Sequence, residues 1–287
     1  MSMFLNLPVE LRELILADVL YSPFTPPETQ PDLEAGVQYH DMDYMAWVWQ
    51  GPKTYYVPQR RESSSLNCLS LFLACHQISA ETRALLARCR RPDYRLDVSV
   101  QDERDILLTW LCVPCLTPNI ATLYVDRIAR SYRGDGGQLG VHWAFYAALE
   151  RFLRYGPMGH QQGSSEGKCR GFADRGMRVE TLVLDFQSAD SELEFPPSDT
   201  VSYAFWLRWH SGITLRRLDD PAVSFSRFKT RPEWFCEHLQ GWIGTLLAMN
   251  YHTARYGQLL YDHIGTIKML VNGQLYKEFD LAALLHA

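Results

Sequence analysis

Two cysteines separated by two residues, Cys112 and Cys115, have the spacing best suited to redox chemistry in this sequence. A CxxC pair is active when it begins a helix that follows a strand, because the helix dipole lowers the pKa of the first thiol. Here the pattern predicts that the pair follows a helix and enters a loop at Pro114. A structural zinc ion would need two more ligands, and the sequence has no second CxxC. Two structural cysteines are therefore favoured over a redox or metal site.

Two glycine-rich segments partly match known catalytic or cofactor-binding motifs but lack features that those motifs require. Residues 163–167 (GSSEG) fit G-x-S-x-G, but the segment before them is polar, whereas a nucleophile elbow follows an apolar strand. Residues 134–140 (GDGGQLG) lie between a predicted strand and a predicted helix. A dinucleotide-binding fingerprint would need glycine at position 139, which is Leu139. We therefore expect no catalytic residue, no cofactor and no bound metal ion.

The composition describes a folded protein without a strong electrostatic bias. The 287 residues are 47% hydrophobic and 21% charged, and the net charge is −5 at pH 7. Domains that bind nucleic acid usually carry a basic surplus, so we expect no nucleic acid partner. The apolar runs are too short to cross a membrane, and the N-terminus lacks the pattern of a signal peptide. Seven unevenly spaced cysteines indicate reduced thiols, so we expect a cytoplasmic or nuclear protein.

The N-terminal third is predicted to be helical, with a break in the middle. Apolar residues at helical spacing predict a helix over 6–20, with Asn6 as its N-cap. Residues 21–66 are rich in proline and aromatic residues and are predicted to form a long irregular insertion. A second helix is predicted over 66–88, with a break near His76.

After this region, strands and helices alternate. Strands are predicted at 94–100, 120–126, 179–185 and 264–271, helices at 102–112, 141–155 and 232–256, and a hairpin return at 274–279. Three of the strands share the pattern Ile/Val-x-Thr-Leu/Ile-x-apolar, at intervals too long and uneven for a regular leucine-rich array. The alternation predicts an α+β or α/β fold with a parallel or mixed sheet.

Two segments of the N-terminal third together resemble an F-box. Residues 7–16 (LPVELRELIL) resemble the opening helix of the F-box family, whose signature is Leu-Pro followed by apolar residues at helical spacing. Residues 69–81 (LSLFLACHQISAE) resemble its second half, and the pair is similar to fungal F-box-like proteins of an uncharacterised family. Segments after residue 91 also resemble that group. The 21–66 insertion separates two halves that are contiguous in an F-box.

The resemblance implies an interaction protein that recruits a substrate to a cullin-type ubiquitin ligase. Residues 1–90 would dock on a Skp-type linker subunit, and residues 91–287 would form a domain that binds a protein target whose identity the sequence does not give. The residues implied in docking are Leu7, Pro8, Leu11, Leu14 and Ile15. An amphipathic helix of this kind can lie in a hydrophobic groove of its partner.

Two alternatives remain open at this point. In the first, the F-box-like helix is packed in the protein's own core, and the chain is a protein-binding scaffold without catalysis. In the second, loops 126–141 and 156–178 converge on a pocket and form an enzyme of unknown class. The exposure of Leu7, Leu11 and Ile15 distinguishes the first alternative from the adaptor, because docking residues must face solvent.

Overall fold

Strands and helices alternate along the C-terminal two thirds of the chain and build one mixed sheet with helices against it. The computed structural model describes residues 3–26, 37–38, 54–56, 66–101, 105–131, 141–157, 176–188, 194–196, 202–210, 230–251 and 253–285. This architecture confirms the predicted α+β or α/β class and the mixed sheet.

The sheet has eight described strands in the order β1-β2-β4-β3-β5-β6-β7-β8. Their bounds are β1 Val37–Gln38, β2 Thr54–Tyr56, β3 Tyr94–Gln101, β4 Asp105–Cys112, β5 Asn119–Ser131, β6 Arg178–Phe186, β7 Ile264–Val271 and β8 Gln274–Asp280. Strands β3, β5, β6 and β7 are parallel to one another, while β4 and β8 run antiparallel to β3 and β7. Strands β1 and β2 come from within the 21–66 insertion, and β2 pairs with β4.

The helices fall into an N-terminal group and a group that covers the sheet. After a 3-10 turn at Met3–Asn6, they are α1 Val9–Tyr21, α2 Asn67–Ala74, α3 His76–Arg88, α4 Val141–Tyr155, α5 Tyr203–His210, α6 Pro232–Leu247, α7 Ala254–His263 and α8 Leu281–Leu285. The buried residues of α4, α6, α7 and α8 join those of the sheet in one hydrophobic core. Among the described residues, no helix combines the length and the apolar character that a membrane crossing requires.

The helix predicted over 102–112 is wrong, because Asp105–Cys112 form strand β4 and residues 102–104 lie outside the described residues. All residues from 106 to 112 are buried, since both faces of the strand are covered. A strand buried on both faces does not alternate between apolar and polar residues, so its sequence resembles that of a buried helix. Cys112 therefore lies at the end of a strand, and not at the end of the predicted helix.

Two other helix boundaries differ from the prediction. The helix expected over 232–256 is divided into α6 and α7 by a turn in which Met249 has a positive φ of 53°. The first helix begins at Val9 and not after an Asn6 cap, because Met3–Asn6 already forms a separate 3-10 turn. The predicted break near His76 is confirmed, since α2 ends at Ala74 and α3 begins at His76.

The three strands with the shared pattern lie side by side as β5, β6 and β7. Residues at the same position of the pattern are paired across the three strands. The pairs are Ile120 with Val179 and Ile264, Thr122 with Thr181 and Thr266, and Leu123 with Leu182 and Ile267. The first, fourth and sixth residues of each pattern are buried in the core. The repeat is therefore spatial, because each strand meets the same core in the same way although the intervals along the chain differ.

Gly257 of α7 lies directly against the backbone of α6. A Cβ atom built on Gly257 would lie 2.2 Å from the carbonyl oxygen of Leu246 in α6. No real Cβ atom tolerates that distance, so the packing of these two helices requires glycine at this position.

Candidate docking surface on the N-terminal helices

The two halves of the interrupted motif are packed together in space. Arg12 of α1 forms two hydrogen bonds with Glu81 of α3, with Nε–Oε2 at 3.0 Å and Nη2–Oε1 at 2.6 Å. A second ion pair joins the same helices, between Arg88 and Glu13 at 2.7 Å. Helices α1, α2 and α3 therefore form one helical unit in spite of the insertion between α1 and α2.

Helix α1 is anchored by a stripe that the sequence pattern did not single out. Arg12, Leu16 and Leu20 are spaced four residues apart and are all buried. The carbonyl oxygen of Leu20 accepts a hydrogen bond from the thiol of Cys112 at 3.5 Å, at the end of β4. The helix is thus fixed to the protein through the face that includes Arg12.

The apolar stripe predicted for α1 points away from this anchor. Leu11 is 47% exposed, Leu14 68%, Ile15 42% and Val19 41%. We call these four residues the docking face. Of the other two residues implied in docking, Pro8 is exposed and Leu7 is half-buried. Helix α1 is therefore apolar on both sides, with one side buried in the protein and the other in solvent.

Helix α2 exposes fewer apolar side chains than α1 does on the same helical unit. Leu69 and Leu73 are one helical turn apart and both are exposed, whereas Asn67 and Cys68 at the start of the helix are buried. Two of the three N-terminal helices therefore present leucine side chains to solvent.

The helical unit is joined to the sheet by hydrogen bonds at the end of β4. The backbone N–H of Phe24 donates to the carbonyl oxygen of Leu111 at 2.8 Å. Asn67 exchanges two hydrogen bonds with Val113, both at 3.1 Å, and its side chain donates to the carbonyl oxygen of Ser22 at 2.9 Å. Asn67 thus ties the chain after α1, the start of α2 and the end of β4 to one another.

The CxxC pair has the environment of structural thiols. Cys112, the last residue of β4, is buried. Cys115 lies in the loop that follows and is half-buried. Burial raises the pKa of each thiol to about 11, which is opposite to the shift that activates a redox cysteine. Within the described ranges, no three histidine, cysteine or acidic side chains are grouped so that they could hold a metal ion.

The glycine motifs cannot be placed in this structure. Residues 163–167 and 134–140 lie outside the described residues, as do most of loops 126–141 and 156–178. The expected absence of a catalytic residue and a cofactor therefore stays a prediction.

A histidine pair lies between α4 and α6, far from the docking face in sequence. Nε2 of His238 and Nδ1 of His142 are 3.1 Å apart, and Trp143 and Trp242 pack beside His142. Burial lowers the pKa of His142 to about 3 and that of His238 to about 4, and for His142 the neighbouring His238 adds to the shift. Nothing in the sequence indicates which turns of the two helices meet, so this pairing could not be predicted.

A scan against protein-family models finds no match to this chain, and comparisons with curated proteins and with solved structures find none either.

Proposed function

We propose that this chain is an F-box-like adaptor without enzymatic activity, in which the N-terminal helices dock on a Skp-type linker subunit. Residues 91–287 would then hold a protein target close to a cullin-type ubiquitin ligase. Such an adaptor accelerates modification by raising the effective concentration of the target, and it needs no catalytic residue of its own. This role requires the chain to share the cytoplasm or the nucleus with the ligase.

The observation that supports this proposal is the exposure of Leu11, Leu14 and Ile15 on an anchored helix. A helix that packs only on its own protein buries its apolar stripe, but α1 buries a different stripe and leaves this one in solvent. Burying apolar surface against a partner contributes about 25 cal/mol per Å². Anchors at helical spacing on a fixed helix suit a partner that offers a hydrophobic groove.

A second candidate function is a protein-binding scaffold that does not use a linker subunit. The burial of Leu16 and Leu20 favours it, because α1 is also part of the protein's own packing. In this case the docking face would bind a partner of another kind, or none.

The two candidates are separated by binding of the purified chain to a Skp-type linker, measured by calorimetry and by co-purification. We expect the wild type to bind and the double variant Leu11→Asp, Ile15→Asp to bind at least about 100-fold more weakly, since buried anchors each contribute about 2 kcal/mol or more. Because neither side chain belongs to the buried core, the double variant should still fold and unfold in one cooperative transition.

The matched control is Leu275→Asp, which places the same charge at an exposed leucine of β8. This control should bind the linker as the wild type does. The adaptor proposal fails if the wild type does not bind, or if a folded double variant binds as well as the control does.

A further inference from the structure

One guanidinium group joins three segments of the N-terminal unit. We propose that Arg12 is a positioning residue of the docking surface, which holds the turn containing Leu7 and Pro8 in place against α3. This inference rests on the proposed function, because it concerns how the docking residues are arranged before the linker binds.

The first contact of Arg12 connects the two sides of the insertion. Its Nε and Nη2 atoms donate to both carboxylate oxygens of Glu81, and Gln77 donates to the same carboxylate at 3.1 Å. These bonds hold the pKa of Glu81 below its ordinary value, with the bond from Arg12 as the largest cause. A bidentate pair fixes both the distance and the angle between the groups, which a single bond does not.

The second contact of Arg12 reaches the turn before α1. Its remaining Nη1 donates to the carbonyl oxygen of Leu7 and, at 3.4 Å, to that of Leu5. Pro8 follows directly and has neither an N–H group nor a polar side chain that could cap the helix. Arg12 thus fixes the carbonyl groups of Leu5 and Leu7, and no side-chain cap at Pro8 replaces these bonds.

Only arginine can make both contacts at once. Its planar group offers five N–H donors in a fixed fork, whereas lysine offers one ammonium group on a flexible chain. A lysine at position 12 would keep the charge opposite Glu81 but could not pair with the carboxylate in two places and also bind the turn.

Attachment of α1 to the protein does not depend on this residue alone. Leu16 and Leu20 remain buried without it, and the Arg88–Glu13 pair also joins α1 to α3. Loss of the Arg12 contacts should therefore release the turn and leave the helix in place. This separates a positioning role from a purely structural one.

The test compares Arg12→Lys with Arg88→Gln in the full chain. The second variant is the matched control, because it breaks the more exposed ion pair between the same two helices. Amide hydrogen exchange of the free chain reports the turn, and calorimetry reports binding to a Skp-type linker. For Arg12→Lys we expect exchange at residues 5–7 to accelerate at least tenfold, exchange in α4 and β6 to stay unchanged, and the linker to bind about tenfold more weakly.

Arg88→Gln should change neither measurement. The inference is overturned if exchange at residues 5–7 is the same in Arg12→Lys as in the wild type, or if both variants have the same effect. If the wild-type chain does not bind the linker, the proposed function and the docking role of Arg12 both fail. Hydrogen exchange then still decides whether Arg12 fixes the turn, so the two failures can be told apart.

Discussion

Lowering the pH from 7 to 5 is expected to destabilise this protein by about 4 kcal/mol through His142 and His238 alone. The two imidazoles face each other between α4 and α6, and burial lowers the pKa of His142 to about 3 and that of His238 to about 4. In the unfolded chain a histidine has a pKa of about 6.5. The folded pair therefore stays neutral at pH 5, while both histidines of the unfolded chain bind protons.

The direction of the effect follows from this difference. Because the pKa of each histidine is lower in the folded state, the buried pair keeps the protein at full stability above about pH 6.5. This stability is lost as the pH falls towards the folded-state pKa values of about 4 and 3. A pH of 5 is about 1.5 units below the pKa of an unfolded histidine. Each histidine therefore lowers the free energy of unfolding by about 2 kcal/mol at this pH.

Urea unfolding at pH 7 and at pH 5 measures this loss. The double variant His142→Gln, His238→Gln should show a clearly smaller difference between the two pH values than the wild type, whatever its stability at pH 7. His76→Gln removes an exposed histidine and serves as the control, which should keep the wild-type difference. An equal difference in all three proteins would show that other groups cause the acid sensitivity.

Replacing Gly257 by alanine should destabilise the fold by about 1 to 3 kcal/mol, the range found for overpacked cores. The new methyl group would lie 2.2 Å from the Leu246 carbonyl oxygen, so α6 and α7 would have to move apart. The residues beside this contact include Leu247 and Leu260 of the hydrophobic core, which would lose part of their packing.

The same substitution at Gly241 should have the opposite sign. Gly241 lies inside α6, it is exposed, and a Cβ atom there meets no atom within 4 Å. Alanine should stabilise this helix by about 0.5 to 1 kcal/mol, because glycine loses more backbone entropy in a helix. Thermal and urea unfolding of the two variants test both signs, and destabilisation by Gly241→Ala or a neutral Gly257→Ala would contradict the geometry.

Most of the strands and helices after residue 91 could be predicted from their patterns, but strand β4 could not. The pattern of residues 141–155 predicts helix α4 with its bounds, and alternation predicts β3. Strand β4 has no alternation, because both of its faces are covered, and only the positions of its neighbours reveal it as a strand. Local sequence carries no information about such neighbours.

The candidate site shows the same limit. The resemblance to an F-box indicated Leu11, Leu14 and Ile15, and the structure finds them exposed, while their binding to a linker stays a prediction. The contacts of Arg12 could not be predicted, because Glu81 is 69 residues away and the insertion hides the pairing. His142 and His238 are 96 residues apart and meet only through the packing of two helices.

The hydrogen bonds between the N-terminal helices and the end of β4 have a consequence for synthesis on the ribosome. Helix α1 is complete in sequence by Tyr21, but Leu111 and Cys112, which bond to Phe24 and Leu20, are translated about 90 residues later. At about 5 to 20 residues per second, this interval lasts roughly 5 to 20 seconds. During that time α1 has only α2 and α3 to pack on, and the side of Leu20 that meets β4 stays uncovered. Nascent chains of this protein should therefore offer apolar surface to chaperones until β4 has emerged.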